Sequence, residues 1–132
     1  MYIYGDQELR DLRFVSGLGV TDLSLYNCQN AHALRAPANL RRFQHYGSAL
    51  KTAKGVERLV ELEYLNYDDN GSIVELNVRG LVKLKQLHVR RNKIRDLSGI
   101  DYLKAKGCCN GGLNISGQKQ PTQEEINEAR LW

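Results

Sequence analysis

The sequence predicts an α/β fold: a solenoid of short parallel strands, each followed by an irregular return segment. Three observations carry that reading. Within residues 80–103 the apolar residues are Leu81, Leu84, Leu87, Val89, Ile94, Leu97, Ile100 and Leu103, with one polar fixture at Asn92. Steps of two and three are mixed there, so neither a helical nor a strand period fits the whole stretch. The pattern fits one strand at 87–89, a sharp turn at Asn92 and a return path whose apolar residues point back inward. The same set recurs 22 residues earlier as Leu59, Leu62, Leu65, Tyr67, Asn70, Val78 and Leu81, and again as Leu40, Phe43, His45, Ser48, Leu50, Ala53, Val56 and Leu59. A unit of this kind cannot bury its own apolar face and needs copies stacked on either side.

Taken in order, residues 1–19 form an N-terminal cap or degenerate repeat, 20–118 the repeats and 119–132 a C-terminal cap. Residues 2–4 fit an edge strand, with Ile3 twenty positions before Leu23. Asp6 is placed to cap a short helical turn through Leu9, Leu12 and Val15, and Leu18 then matches Leu81. The first clear repeat sets Val20, Leu23, Leu25 and Cys28 in the places of Leu84, Leu87, Val89 and Asn92. Its step to Phe43 is 20, so its return is two residues shorter, and Pro37 stops any helix before Leu40. In the 59–81 repeat, Ser72 and Glu75 break the match, with Ile73 and Leu76 as substitutes one position on. Beyond Leu103 the strand returns at Leu113 and Ile115, 26 residues after Leu87, so about four residues are inserted near 107–111. Pro121, Thr122 and Glu125 make a capping-box signature, which predicts a helix over 123–132. Its Ile126, Ala129 and Trp132 are expected to fold over the last repeat and close that end.

Length and composition fit one domain of this design. The chain has 132 residues, is 42% hydrophobic and carries 19 basic against 15 acidic residues, for a net charge of +4. Charges of both signs interleave, as on a solvated surface. No apolar run reaches the roughly 18 residues that a membrane span needs. The first residues lack the basic-then-apolar order of a signal peptide, which points to a cytoplasmic or nuclear protein unless a signal was removed. Three cysteines without framework spacing agree with a reducing compartment.

The motif L-x-x-L-x-L-x-x-N-x-I stands here as Leu84, Leu87, Val89, Asn92 and Ile94, and it resembles the leucine-rich repeat family. The 22-residue length and the return segment Asp96, Leu97, Ile100 resemble the subclass found in internalins and in a phosphatase-1 regulatory subunit. That resemblance implies a concave sheet of parallel strands, an irregular or 3-10 convex side and a C-terminal capping helix. It also implies a protein-binding role, as such repeats have in phosphatase regulation, dynein light chains, a spliceosomal subunit and bacterial adhesins.

Little in the chain looks catalytic. The ladder Cys28, Ser48, Asn70, Asn92 and Gln118 reads as structural, because buried backbone groups at each turn need side-chain partners. Cys108 and Cys109 lack the spacing and the nearby histidine of a zinc site and read as flexible loop thiols, so two of the three thiols should react fast. His32, His45 and His88 form no constellation; His45 takes a core-facing slot. GCCNGG is not a phosphate loop, and no nucleophile-elbow or zinc-protease motif occurs. The expectation is therefore a non-catalytic module without cofactor or metal, monomeric by itself.

Alternate strand residues point out of the sheet. By register these include Tyr26, Arg42, Tyr46, Tyr64, Asn66, Asp68, His88 and Arg90, the predicted partner-binding set. Tyrosine and arginine are the residues most often found at interface hot spots. Another protein is the expected partner, on a face about 25 Å across if five or six strands stack at about 4.8 Å. The alternative is an RNA-associated scaffold using Arg41, Arg42, Arg90, Arg91 and Lys93; Asp68 and Asp69 between these groups weigh against it.

Overall fold

The computed structural model describes residues 1–33 and 36–131. It is a small α/β domain whose six short strands form one all-parallel sheet in sequence order. The strands are β1 (Tyr2–Tyr4), β2 (Asp22–Tyr26), β3 (Arg42–Tyr46), β4 (Tyr64–Asn66), β5 (Gln86–His88) and β6 (Gly112–Asn114). Helix α1 (Ser98–Ala105) follows β5, and α2 (Gln123–Ala129) follows β6. Short 3-10 turns at Arg13–Leu18 and Val56–Arg58 flank the sheet.

Strand pairing sets Leu23 beside Phe43, Phe43 beside Leu65, Leu65 beside Leu87 and Leu87 beside Leu113. Those steps of 20, 22, 22 and 26 are the ones the apolar spacing demands. All four of Leu23, Phe43, Leu65 and Leu87 are buried, as are the return residues Leu59, Leu62, Leu81, Leu84, Ile100 and Leu103. Ile73 is buried and Leu76 packs against the core, while Glu75 is exposed, so the one-position substitution in that repeat is real.

Each strand ends in the same sharp bend. Gly5, Asn27, Gly47, Asp69, Arg91 and Gly117 occupy equivalent positions, each one residue beyond Tyr4, Tyr26, Tyr46, Asp68, Arg90 and Ser116, all with φ between 55° and 77°. Left-handed backbone favours Gly, Asn and Asp, and Arg91 is the exception. At Gly47 any side chain would have to displace the Tyr26 ring, because a Cβ would lie 2.4 Å from it.

Turning the chain takes backbone groups out of the sheet ladder, and the polar column repairs this. Asn70 Nδ2 donates to the carbonyls of His45 (2.8 Å) and Tyr67 (3.0 Å), while its Oδ1 accepts from the N–H groups of Ser48 (3.0 Å) and Leu50 (3.2 Å). Asn92 Nδ2 donates to Tyr67 (2.9 Å) and Val89 (3.2 Å), and Gln118 Nε2 to Val89 (2.7 Å) and Ile115 (3.1 Å). Ser48 Oγ donates to Tyr46 C=O and accepts from Cys28 N–H; the Cys28 thiol lies 3.4 Å from Tyr26 C=O. Each rung ties its own turn to a neighbouring one.

Five expectations are corrected. Ile3 pairs with Leu25 rather than Leu23, two residues further along. Asp6 caps no helix: its carboxylate accepts from Glu8 and Leu9 N–H in a turn, and the 3-10 segment starts only at Arg13. Leu12 and Val15 are buried, but Leu18 is 58% exposed. The return after β5 is not irregular, because Ser98–Ala105 is a full α-helix.

The fifth correction concerns α2, which has its predicted capping box between Thr122 and Glu125 yet buries no residue. Instead of covering β6 it runs back along the loops after earlier strands. Lys93 Nζ meets Glu125 Oε2 at 2.5 Å, and Lys51 Nζ meets Glu128 Oε1 at 3.4 Å. Lys93 first, with Thr122 N–H, holds the Glu125 carboxyl down to about 2. Ile126 and Ala129 are half-buried, and Trp132 lies outside the described residues.

Thiol placement also departs from the sequence reading. The inserted loop folds back, with Cys109 N–H bonding Leu84 C=O (2.9 Å) and Gly111 N–H bonding Lys85 C=O (2.8 Å). Cys109 is thereby buried, which pushes its thiol pKa up, and Cys28 is buried as well. Only a thiolate is nucleophilic. One fast thiol, Cys108, is expected in native thiol titration, with the other two appearing on unfolding; two fast thiols would show that Cys109 is accessible.

Candidate interaction face

The outer face of the sheet is laid out in three rows, because parallel register repeats side-chain direction from strand to strand. The first row is Asp22, Arg42, Tyr64, Gln86 and Gly112; the second is Tyr2, Ser24, Gln44, Asn66, His88 and Asn114. The third runs from Tyr4 through Tyr26 to Tyr46.

That third row is an aromatic stack. Tyr4 and Tyr26 are stacked with ring centroids 5.2 Å apart, and Tyr26 and Tyr46 are 5.2 Å apart and tilted. Tyr2 joins it through its hydroxyl, whose hydrogen bond to Tyr46 raises the Tyr2 pKa. Tyr2 and Tyr4 are 58% and 65% exposed. The sequence reading did not include these two, although Ile3 as the single inward residue of 2–4 puts both neighbours on the outer face.

Tyr64 lies in the first row, away from the stack, as its register requires. The Arg42 guanidinium sits 4.1 Å from its ring centroid, and His88 lies 5.4 Å away on the other side. Gln86 Oε1 contacts His88 Nε2 at 3.4 Å and Asn114 contacts His88 Nδ1 at 3.0 Å, so these side chains form a polar network across β5 and β6. Beside the first row lies a groove of about 380 Å³ lined by Arg41, Arg42, Glu63, Tyr64, Lys85 and Gln86, among others.

Several charges on and around this face pair with one another. Asp22 lies 3.9 Å from Arg42, and Glu63 lies 2.8 Å from Lys85, which lowers the Glu63 pKa. Asp69 binds Arg91, which holds its carboxyl below the usual carboxylate range. Asp68 is not an open acid: it is 4% exposed, its Oδ2 takes Arg90 Nη2 at 2.9 Å, and its Oδ1 takes the Arg90 N–H. Burial makes it a clasp that fixes Arg90, not a contact surface of its own. Asn66 Oδ1 in turn accepts the Asp68 N–H at 2.8 Å. Of the predicted set, then, Tyr26, Arg42, Tyr46, Tyr64, Asn66 and His88 share the accessible face, and Arg90 reaches it already paired.

Among the described residues, no group of three or more His, Cys, Asp or Glu could hold a metal ion, and no helix is long and apolar enough to cross a membrane. No family model matches this chain, and a comparison with curated proteins finds no match.

Proposed function

We propose that this chain is a leucine-rich-repeat domain of the 22-residue type, and that it is a non-catalytic module binding another protein through the outer, concave face of its sheet. The repeated spacing of paired residues and the polar column at each turn support the family reading. The observation that carries the binding reading is the Tyr4–Tyr26–Tyr46 stack, with 5.2 Å between successive rings, on a face where Arg42 and Arg90 are already paired. Stacked tyrosines present a large amphipathic surface with few rotatable bonds, so little entropy is lost when a partner covers them. Internal pairing of Arg42, Arg90 and Arg91 with Asp22, Asp68 and Asp69 works against RNA, which needs free cations to displace its counterions.

Substituting Tyr26, Tyr46 and Tyr64 together by Ser tests this. All three are half-buried on the outer face, so the cooperative thermal transition is expected to persist. Affinity for a partner captured with the wild-type chain is expected to fall at least about 100-fold. Unchanged affinity in the folded variant would move the working surface elsewhere.

A further inference from the structure

Among the described residues both edges of the sheet are open, and they match each other. Within the sheet, residues in core-facing register bond forward to outward-facing residues of the next strand: Thr21 C=O takes Arg42 N–H, Glu63 C=O takes Gln86 N–H, and Tyr67 N–H reaches His88 C=O. At β1, Ser24 N–H bonds Met1 C=O and Gly5 N–H bonds Tyr26 C=O. Parallel strands alternate which residues bond which neighbour. The N–H and C=O of Tyr2 and Tyr4 therefore aim away from β2. At β6, Asn114 and Ser116 C=O accept from Val89 and Arg91, so the rungs of Leu113 and Ile115 aim away from β5. One edge thus offers outward-facing rungs and the other core-facing rungs, the two halves of every junction inside the sheet.

Natural edge strands are usually blunted by charge, proline or a covering element. Neither β1 nor β6 carries a charge or a proline, and α2 runs back along the loops instead of over β6. Apolar residues at both ends are only partly covered, Ile3 and Leu9 at one and Leu113 and Ile115 at the other.

We propose that these edges form one contact between two copies of this chain, with β6 of one copy pairing in parallel with β1 of the next. The row Asn66, His88, Asn114 then continues at Tyr2 of the next copy, and Ile115 stands beside its Ile3. Carrying that register four residues further sets Lys119 beside Gln7 of the next copy, between its Asp6 and Glu8. Lys119, Asp6 and Glu8 are all exposed, and their charges are opposite. The contact is heterologous and does not close on itself, so copies stack end to end and extend the face as they do. It uses the edges alone and stands or falls separately from the binding role of the face.

Each contact is small against the roughly 1,000 Å² of a stable interface, so the chain is monomeric when dilute. Sedimentation velocity from about 10 μM to about 1 mM is expected to show mass growing past the dimer, less so in high salt. Tyr4→Pro and Ile115→Pro each remove one outward N–H and no bond within the sheet. Each variant alone is expected to stay monomeric, and an equal mixture to stop at a dimer. A wild-type chain that is monomeric throughout, a mixture that grows beyond two copies, or self-association of either variant would overturn the proposal. If a proline variant loses its cooperative melt, charge exchange replaces it. Lys119→Glu and Glu8→Lys should each weaken association and restore it when combined in one chain. A combined variant that stays weak also overturns it.

Discussion

Asn70→Ala is expected to lower stability by about 4 kcal/mol, more than any other substitution in the polar column. Its loss orphans Ser48 N–H, Leu50 N–H and His45 C=O, each buried and each costing about 1–3 kcal/mol without a partner. Asn92→Ala should cost less, about 1–2 kcal/mol, because the structure duplicates its work. Tyr67 C=O keeps Asn70, and Val89 C=O keeps Gln118. No partner meets Asn92 Oδ1 among the described residues, so that atom contributes nothing to lose. Asn70→Leu should be no milder than Ala, since an apolar side chain answers none of the three orphans. Urea unfolding of the three variants measures the order directly. An Asn92→Ala chain as unstable as Asn70→Ala would mean that the rungs are not redundant.

The second large effect is a loss of stability in mild acid, set by His45. This ring is fully buried beside Phe43 and Tyr67, and its Nε2 lies 2.9 Å from Cys28 C=O, to which it donates. Its Nδ1 then has no partner among the described residues, and burial outweighs the carbonyl contact to push the pKa from 6.5 down to about 4. A folded pKa below the unfolded one means that the unfolded chain takes up the proton first. Stability is therefore whole above pH 6.5 and falls as pH drops toward about 4. Between pH 7 and 5 the expected loss is about 2 kcal/mol. His32, whose pKa burial also lowers, adds to the same loss. His45→Leu should remove most of this slope and leave a small remainder from His32. Denaturant midpoints at pH 7 and 5 show it; an undiminished slope in the variant would mean that His45 is not the group responsible.

Central repeats were legible because every unit is pressed between two others. Phe43, Leu65 and Leu87 each have a neighbour on both sides, so an error of one residue would bury a polar side chain, and the spacing admits a single register. The same constraint made Cys28, Ser48, Asn70, Asn92 and Gln118 readable as one column. Ends carry no such redundancy. β1 has one inward residue, Ile3, and a shift of two keeps it inward, which is why its partner was misplaced.

Other departures come from contacts between distant parts of the chain. The fold-back of the 107–111 insertion rests on carbonyls of Leu84 and Lys85, about a full repeat away, and nothing in GCCNGG announces it. Asp68 has the alternation of an outward residue, but Arg90, 22 positions on, takes its carboxylate, and Asp68 is left only 4% exposed. Helix α2 shows its start clearly in Thr122 and Glu125. Where it lies depends on Lys51 and Lys93, a matter of charge placement that no local pattern encodes. Of the site, Tyr26, Tyr46 and Tyr64 followed from alternation alone, and the same alternation about Ile3 places Tyr2 and Tyr4 beside them whichever of the two registers holds.

Hydroxyl-radical footprinting of the chain with and without its captured partner tests the binding role of the outer face most directly, because tyrosine rings report their own accessibility. Tyr102, half-buried on α1 under Arg79 and away from the outer face, serves as the internal reference. The account predicts that oxidation of Tyr4, Tyr26, Tyr46 and Tyr64 falls in the complex while Tyr102 is unchanged. Protection of Tyr102 with the four outer rings still oxidised would contradict it.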